Sequence, residues 1–275
     1  MTARMRVIAG WELRQAVRSR WVAAIALVLA GSSVAVALLG LRSARQLGLS
    51  GTGGAAAAMV NLAVLLPPLF ALLLGLTSLV ARSDRSMVAV VSAQTVPAGR
   101  FLVASFVGLA AALWLTLALG FGLSALVLAG AASTGDLASL AAVAGATAAT
   151  STACLAVGMA VGALAPSRGQ ATAVAVAAWF VLTLGMDLVL AGVAPALNLG
   201  PTGLLAAVLA NPVEAGRILA LLGNEAGPSA LGPFGGYLHD AFGVASAALL
   251  LCAALATWTG GALTVAVIAG RRSEA

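Results

Sequence analysis

The chain has 275 residues, 62% hydrophobic and only 8% charged, with a formal net charge of +6 at pH 7, and its mean hydropathy is +1.10. So few charges cannot cover a water-soluble domain of this length, and the composition requires a polytopic membrane protein. The positive charge is carried by arginines spaced between apolar blocks rather than clustered on one patch, which argues for lipid headgroups and against nucleic acid.

In chain order, residues 4–20 come first and are arginine-rich. Ala9, Leu13, Ala16 and Val17 are expected on one side of a helix, with Arg14 and Arg18 stacked one turn apart on another. This reads as an interfacial elbow helix over residues 1–20. No small-residue cleavage pattern ends the apolar run that follows, so that run reads as a retained span. Six segments are long enough to cross a hydrocarbon core of about 30 Å as helices. They are Trp21–Leu41, Met59–Ala81, Phe101–Gly130, Leu137–Ala165, Ala171–Ala194 and Ala241–Ala269. Eleven of the fourteen arginines fall before the first span, between the second and third, between the fourth and fifth, or after the sixth. By the positive-inside rule both termini are expected in the cytoplasm.

The second span contains Asn61 and the pair Pro67-Pro68, which removes two backbone donors and is expected to kink the helix. Asn61, Thr77, Thr116 and Thr183 are expected to be satisfied by hydrogen bonds between helices. After the second span, Ser83 and Asp84 start a short helix whose apolar group is Met87, Val88, Val90 and Val91. Gln94 and Thr95 lead to Pro97 and Gly99, which end it. An apolar helix on a cytoplasmic loop must bury itself against lipid or a partner protein. Gly158 and Gly162 of the fourth span form a small-xxx-small pair suited to close helix contact.

Asp187, in the fifth span, is the only carboxylate well inside an apolar block. A charge there is costly, by about 3 kcal/mol on insertion scales, and reads either as a pathway or interface group or as a residue near the outer interface. Residues 195–240 form the larger external segment. Within it Asn211-Pro212-Val213-Glu214 is a helix start: Asn as N-cap, Pro in the first turn, Glu positioned to close a capping box. The helix is expected over 212–222, ended by Gly223 and Asn224, with Glu214 and Arg217 paired one turn apart. Ile218, Leu221 and Leu222 give it an apolar side, suited to the outer interface or to the bundle. From Gly227 to Gly236 the glycines and prolines predict an irregular loop.

Catalytic signals are missing. The chain contains no lysine, so a phosphate-binding loop of the GxxxxGK[ST] type is excluded. One histidine excludes a histidine-rich metal site, no metal ligand set is assigned, and Cys154 and Cys252 lie within separate predicted spans. These features leave a transport subunit, a stand-alone secondary transporter and a structural membrane scaffold as the classes to weigh. One intramembrane carboxylate and no internal repeat disfavour the secondary transporter.

The ordered set of segments resembles the ABC-2 type transporter permeases, and within them the NosY-like branch. It comprises Trp11-Glu12-Leu13-Arg14 through Arg20-Trp21, Asn61-Leu62 with Pro68-Leu69, and Ala71 to Leu74. Gly120-Phe121-Gly122, Asp187 to Leu190, and Asn211-Pro212 with Arg217 complete it. The resemblance implies an all-α fold like that of type V ABC exporters, with six spans, an N-terminal elbow, a cytoplasmic coupling helix and both termini inside. It implies a homodimer in the bacterial inner membrane that works with two separate ATPase subunits, which bind ATP and Mg; this chain would hold no cofactor. Residues 82–96 would be the coupling helix, with Asp84, Arg85, Met87, Val88, Val91 and Gln94 meeting the ATPase. In the NosY-like branch a periplasmic β-helical partner docks outside, and the complex serves copper-site assembly in nitrous oxide reductase. Arg82, Ser86, Met87 and Ala89 depart from the acidic, Gly-Thr-containing pattern of that segment.

Overall fold

The computed structural model describes residues 3–46, 53–80, 98–128, 134–188, 199–223 and 227–272. The coupling segment, with Asp84, Arg85, Met87, Val88, Val91 and Gln94, lies outside the described residues. All regular structure within them is helical: α1 Ala3–Arg18, α2 Arg20–Gln46, α3 Gly53–Val80, α4 Ala98–Leu128 and α5 Thr134–Leu164. α6, Arg168–Phe180, continues through a π-helical turn at Val181–Gly185 into Met186–Leu188. There follow α7 Pro201–Leu209, α8 Pro212–Leu222, a 3₁₀ turn Gly227–Leu231, α9 Gly232–Phe242 and α10 Val244–Arg272.

Six of these helices are long and apolar enough to cross a membrane: α2, α3, α4, α5, the α6 unit and α10. The sixth expected span begins a few residues late. Gly243, at φ +75°, breaks the chain between α9 and α10, and a left-handed residue cannot continue a helix. The expected loop at 227–236 is a correction: it is a 3₁₀ turn and the start of α9. Pro233 fits the first turn of that helix and Gly232, at φ +57°, turns the chain into it.

The core is built on the crossing of α3 and α5. A Cβ placed on Gly158 would run into the backbone oxygen of Leu72, and one on Gly75 into that of Leu155, while one on Gly162 would stand 2.9 Å from the Leu76 oxygen. Hydrocarbon gives helices no hydrophobic reason to associate, so close approach of backbones, which only small residues allow, takes that role. α3 stays continuous through Pro67 and Pro68, and the Leu65 carbonyl accepts a hydrogen bond from Trp179 Nε1 of α6 at 3.0 Å.

α1 is a helix separate from α2, broken at Ser19, and packs on α4 where Gly108 meets the Ala9 carbonyl and Glu12. Glu12 and Ala16 are buried and Leu13 is half-buried, but Val17 is 53% exposed, so it does not share the inner face expected of it. Val7 and Trp11 are exposed as well. The threonines also differ from expectation. Thr77, Thr116 and Thr183 donate to carbonyls of their own helices, at Leu74, Ala112 and Trp179, rather than across to neighbours. A hydroxyl three or four residues above a carbonyl reaches it without any tertiary arrangement. Asn61 lies on the exposed side of α3 and makes no hydrogen bond among the described residues.

Candidate functional site: a buried hairpin tied to the fifth span

α7 and α8 form a hairpin bent by 114°. At a rise of about 1.5 Å per residue, two helices of nine and eleven residues so bent reach only about 17 Å end to end, short of a core of about 30 Å. The chain therefore enters the bundle and turns back. Trp258, at the midpoint of α10, donates from Nε1 to the Leu209 carbonyl at 3.1 Å. Gly216 lies against Thr150, close to the midpoint of α5, and Gly223 against Ala142, nearer the start of that helix. The apex at Ala210-Asn211 thus reaches the middle of the bundle. α8 then climbs back toward the end where α5 starts and the α6 unit finishes.

This corrects one of the two expected placements of the 212–222 helix. It is not an interfacial helix with one apolar side: Pro212, Val213, Glu214, Ala215, Gly216, Ile218, Ala220 and Leu222 are all buried. The small residues missed as a signal were Ala215, Gly216 and Ala220. They let α8 approach α5 so closely that a Cβ on Gly216 would overlap the Thr150 hydroxyl.

Backbone polar groups at this depth have no water to turn to, and must be satisfied by protein. Asn211 does most of this. Its Oδ1 accepts from the amides of Val213 at 2.9 Å and Glu214 at 3.3 Å, capping α8 as expected. Its Nδ2 donates at 2.6 Å to the carbonyl of Leu182, inside the π turn of α6. A π turn accommodates one extra residue and leaves a carbonyl without its helical donor, and the Asn211 amide meets that need. The reciprocal half of the capping box is absent, because the Asn211 N–H donates to Val208 instead and Glu214 turns to Arg217.

Arg217 Nη1 lies 2.6 Å from Asp187 Oδ1 and 3.3 Å from Glu214 Oε2. The expected Glu214–Arg217 pair is present, and Asp187 joins it from the neighbouring element. The side chains are 32% exposed for Arg217, 51% for Asp187 and 5% for Glu214, so the network grades from the bundle surface into its interior. Each helical residue turns the chain by about 100°, so the inserted residue of the π turn rotates Asp187 by that amount relative to an unbroken helix. Asn211 and Arg217 therefore grip the fifth span at two points, one within the π turn and one beyond it. Beside them a cavity of about 10 Å³, lined by residues including Thr147, Thr150, Gly216 and Arg217, is about the size of one water. Of the expected site residues, Asp187, Asn211, Pro212, Glu214 and Arg217 come together here; Asn61 does not.

No group of three or more His, Cys, Asp or Glu side chains suited to a metal occurs among the described residues. What the arrangement does is tie the hairpin to the fifth span, through Asn211 at Leu182 and Arg217 at Asp187.

Residues 6–208 match the model of the family described as ABC-2 family transporter protein. The chain is 31% identical over 271 residues to a "Probable ABC transporter permease protein NosY" of Stutzerimonas stutzeri, covering 96% of this chain and 97% of that one. It is 30% identical over 265 residues to the protein of the same name from Pseudomonas aeruginosa, covering 94% of each. With six apolar membrane helices arranged along the same full length as these permeases, the chain belongs to the ABC-2 family of transporter proteins.

Proposed function

We propose that this chain is the membrane-spanning permease of an ATP-driven transporter, acting as a homodimer on two separate ATPase subunits that bind ATP and Mg. The observation that carries this reading is the similarity to NosY permeases over nearly the whole chain, in a sequence with no lysine from which to build its own phosphate-binding loop. Residues 82–96 would seat on the ATPase, with both termini in the cytoplasm of a bacterial inner membrane and α1 as an interfacial elbow.

The mechanism follows from packing. Residues 82–96 lie between the end of α3 and the start of α4, so a push on that segment acts on both helices. α3 and α5 meet backbone to backbone, α5 carries α8 at Gly216 and Gly223, and α8 holds the fifth span through Asn211 and Arg217. Closing the ATPases would tilt this train and move the hairpin on the far side of the membrane. The output is export, or remodelling of a periplasmic partner. The NosY likeness favours a partner of β-helical form and a role in copper-site assembly. Affinity purification of a tagged chain from native membranes is expected to bring down an ATPase in one-to-one ratio, together with a periplasmic protein. A chain that returns alone while transporting a solute on an ion gradient would replace this reading by a secondary transporter.

A further inference from the structure

At the break between α1 and α2 the surface is hollow, with a volume of about 650 Å³ lined by Trp11, Arg14, Gln15, Arg18 and Ser19. Arg14 and Arg18 stand one helical turn apart and both are exposed. Neither has an acidic partner among the described residues. Like charges at this spacing oppose the helix, a cost that a bound anion removes. The hollow is also held in place: the opposite face of α1, with Glu12 and Ala16, is packed on α4 through Gly108.

We propose that this hollow binds the headgroup of an anionic phospholipid, from the leaflet on the side of the chain's N-terminus. The shared chemistry is a phosphate oxyanion, which guanidinium groups bind through parallel, charge-assisted hydrogen bonds. Three observations favour lipid over free phosphate. The apolar stretch of α2 starts at Val22, three residues past Ser19, so the hollow sits at the level where headgroups lie. Trp11, 51% exposed, lines it with an amphipathic ring of the kind found at that level. Val7 and Val17, also exposed on α1, offer apolar surface for acyl chains and none for an inorganic ion. The site depends on no ATPase, so its test stands apart from that of the transport reading.

The full chain in nanodiscs of mixed phosphatidylcholine and phosphatidylglycerol is released into native mass spectrometry, and the lipid retained per chain is counted. Phosphatidylglycerol is expected to be retained over phosphatidylcholine, with that preference falling about tenfold in R14Q/R18Q and remaining in R6Q, which removes another exposed arginine of α1. Inorganic phosphate added at millimolar concentration is expected to leave the retained lipid in place. R14K/R18K, which keeps the charge without the planar fork, is expected to lie between wild type and the glutamine variant, and size exclusion verifies that each variant is folded. Equal loss in R6Q would mean diffuse attraction, displacement by phosphate a free-anion site, and unchanged preference in R14Q/R18Q no site. Loss of a co-purified ATPase with lipid retention intact would make the arginines a protein contact. Any of these four results overturns the proposal.

Discussion

Arg217 serves two carboxylates of unequal standing. Glu214 is 5% exposed and depends on the guanidinium for its only counter-charge among the described residues, whereas Asp187, at 51%, is partly open. Removing one partner of a fully buried pair costs about 3–5 kcal/mol. Arg217 is itself about one-third exposed, so screening lowers the expected loss for R217A to about 1–3 kcal/mol. D187N leaves the buried half of the network intact and is expected to cost no more than about 1 kcal/mol. Thermal unfolding in detergent should therefore rank wild type above D187N and both above R217A. Adding E214Q to R217A removes the stranded charge and is expected to recover part of the loss. An R217A variant as stable as D187N would show that Glu214 finds its counter-charge elsewhere.

Among elements, the α3/α5 crossing allows a graded test, because the glycines of α5 differ in what a methyl group would meet. At Gly158 the added Cβ collides with the Leu72 backbone, at Gly162 it stands 2.9 Å from the Leu76 oxygen, and at Gly145 nothing lies within 4 Å. Helix propensity alone favours alanine over glycine by about 1 kcal/mol at each position. G145A is thus expected to be neutral or stabilising, G162A mildly destabilising, and G158A to lose most folded protein, as read by fluorescence-detected size exclusion. The hairpin permits a second separation. N211D keeps the acceptor that caps α8 but loses the donor to Leu182, and N211A loses both. If the grip on the π turn matters as much as the cap, N211D is expected to fall close to N211A rather than to wild type. The cap itself is worth about 1 kcal/mol. How much of this was legible in the sequence depends on range. Asn211, Pro212 and Gly223 delimit α8 through local chemistry, and Glu214 and Arg217 pair within one turn, so both were readable. Asp187 meets Arg217 across thirty residues and through a π turn that no residue pattern announces, so it was not. The burial of α8 was written in Ala215, Gly216 and Ala220, but small residues give an amphipathic reading no weight. Asn61 misled because a polar residue in an apolar run looks the same whether it faces a neighbour or the outside.

At the scale of the whole molecule, the hairpin decides how many times the chain crosses. Counted by hydropathy alone, α7 and α8 together resemble a span, which would make seven crossings rather than six. Parity then separates the two architectures, because seven crossings put the C-terminus opposite the N-terminus and six put them on one side. The 114° bend and the short reach of the pair favour six, and so does the packing. Gly216 and Gly223 follow α5 back toward its own start, so α8 leaves on the side where α10 begins. The arginine distribution agrees independently, since only six crossings place Arg271 and Arg272 on the same side as the arginines preceding α2. Alkaline phosphatase, active only outside the cytoplasm, and a fluorescent protein that matures only inside it can be fused in turn to residue 275 and to residue 225. Fluorescence at 275 and phosphatase activity at 225 are expected. Phosphatase activity at 275 would convert the hairpin into a seventh span, and would detach the Asp187–Arg217 network from any role at the outer face.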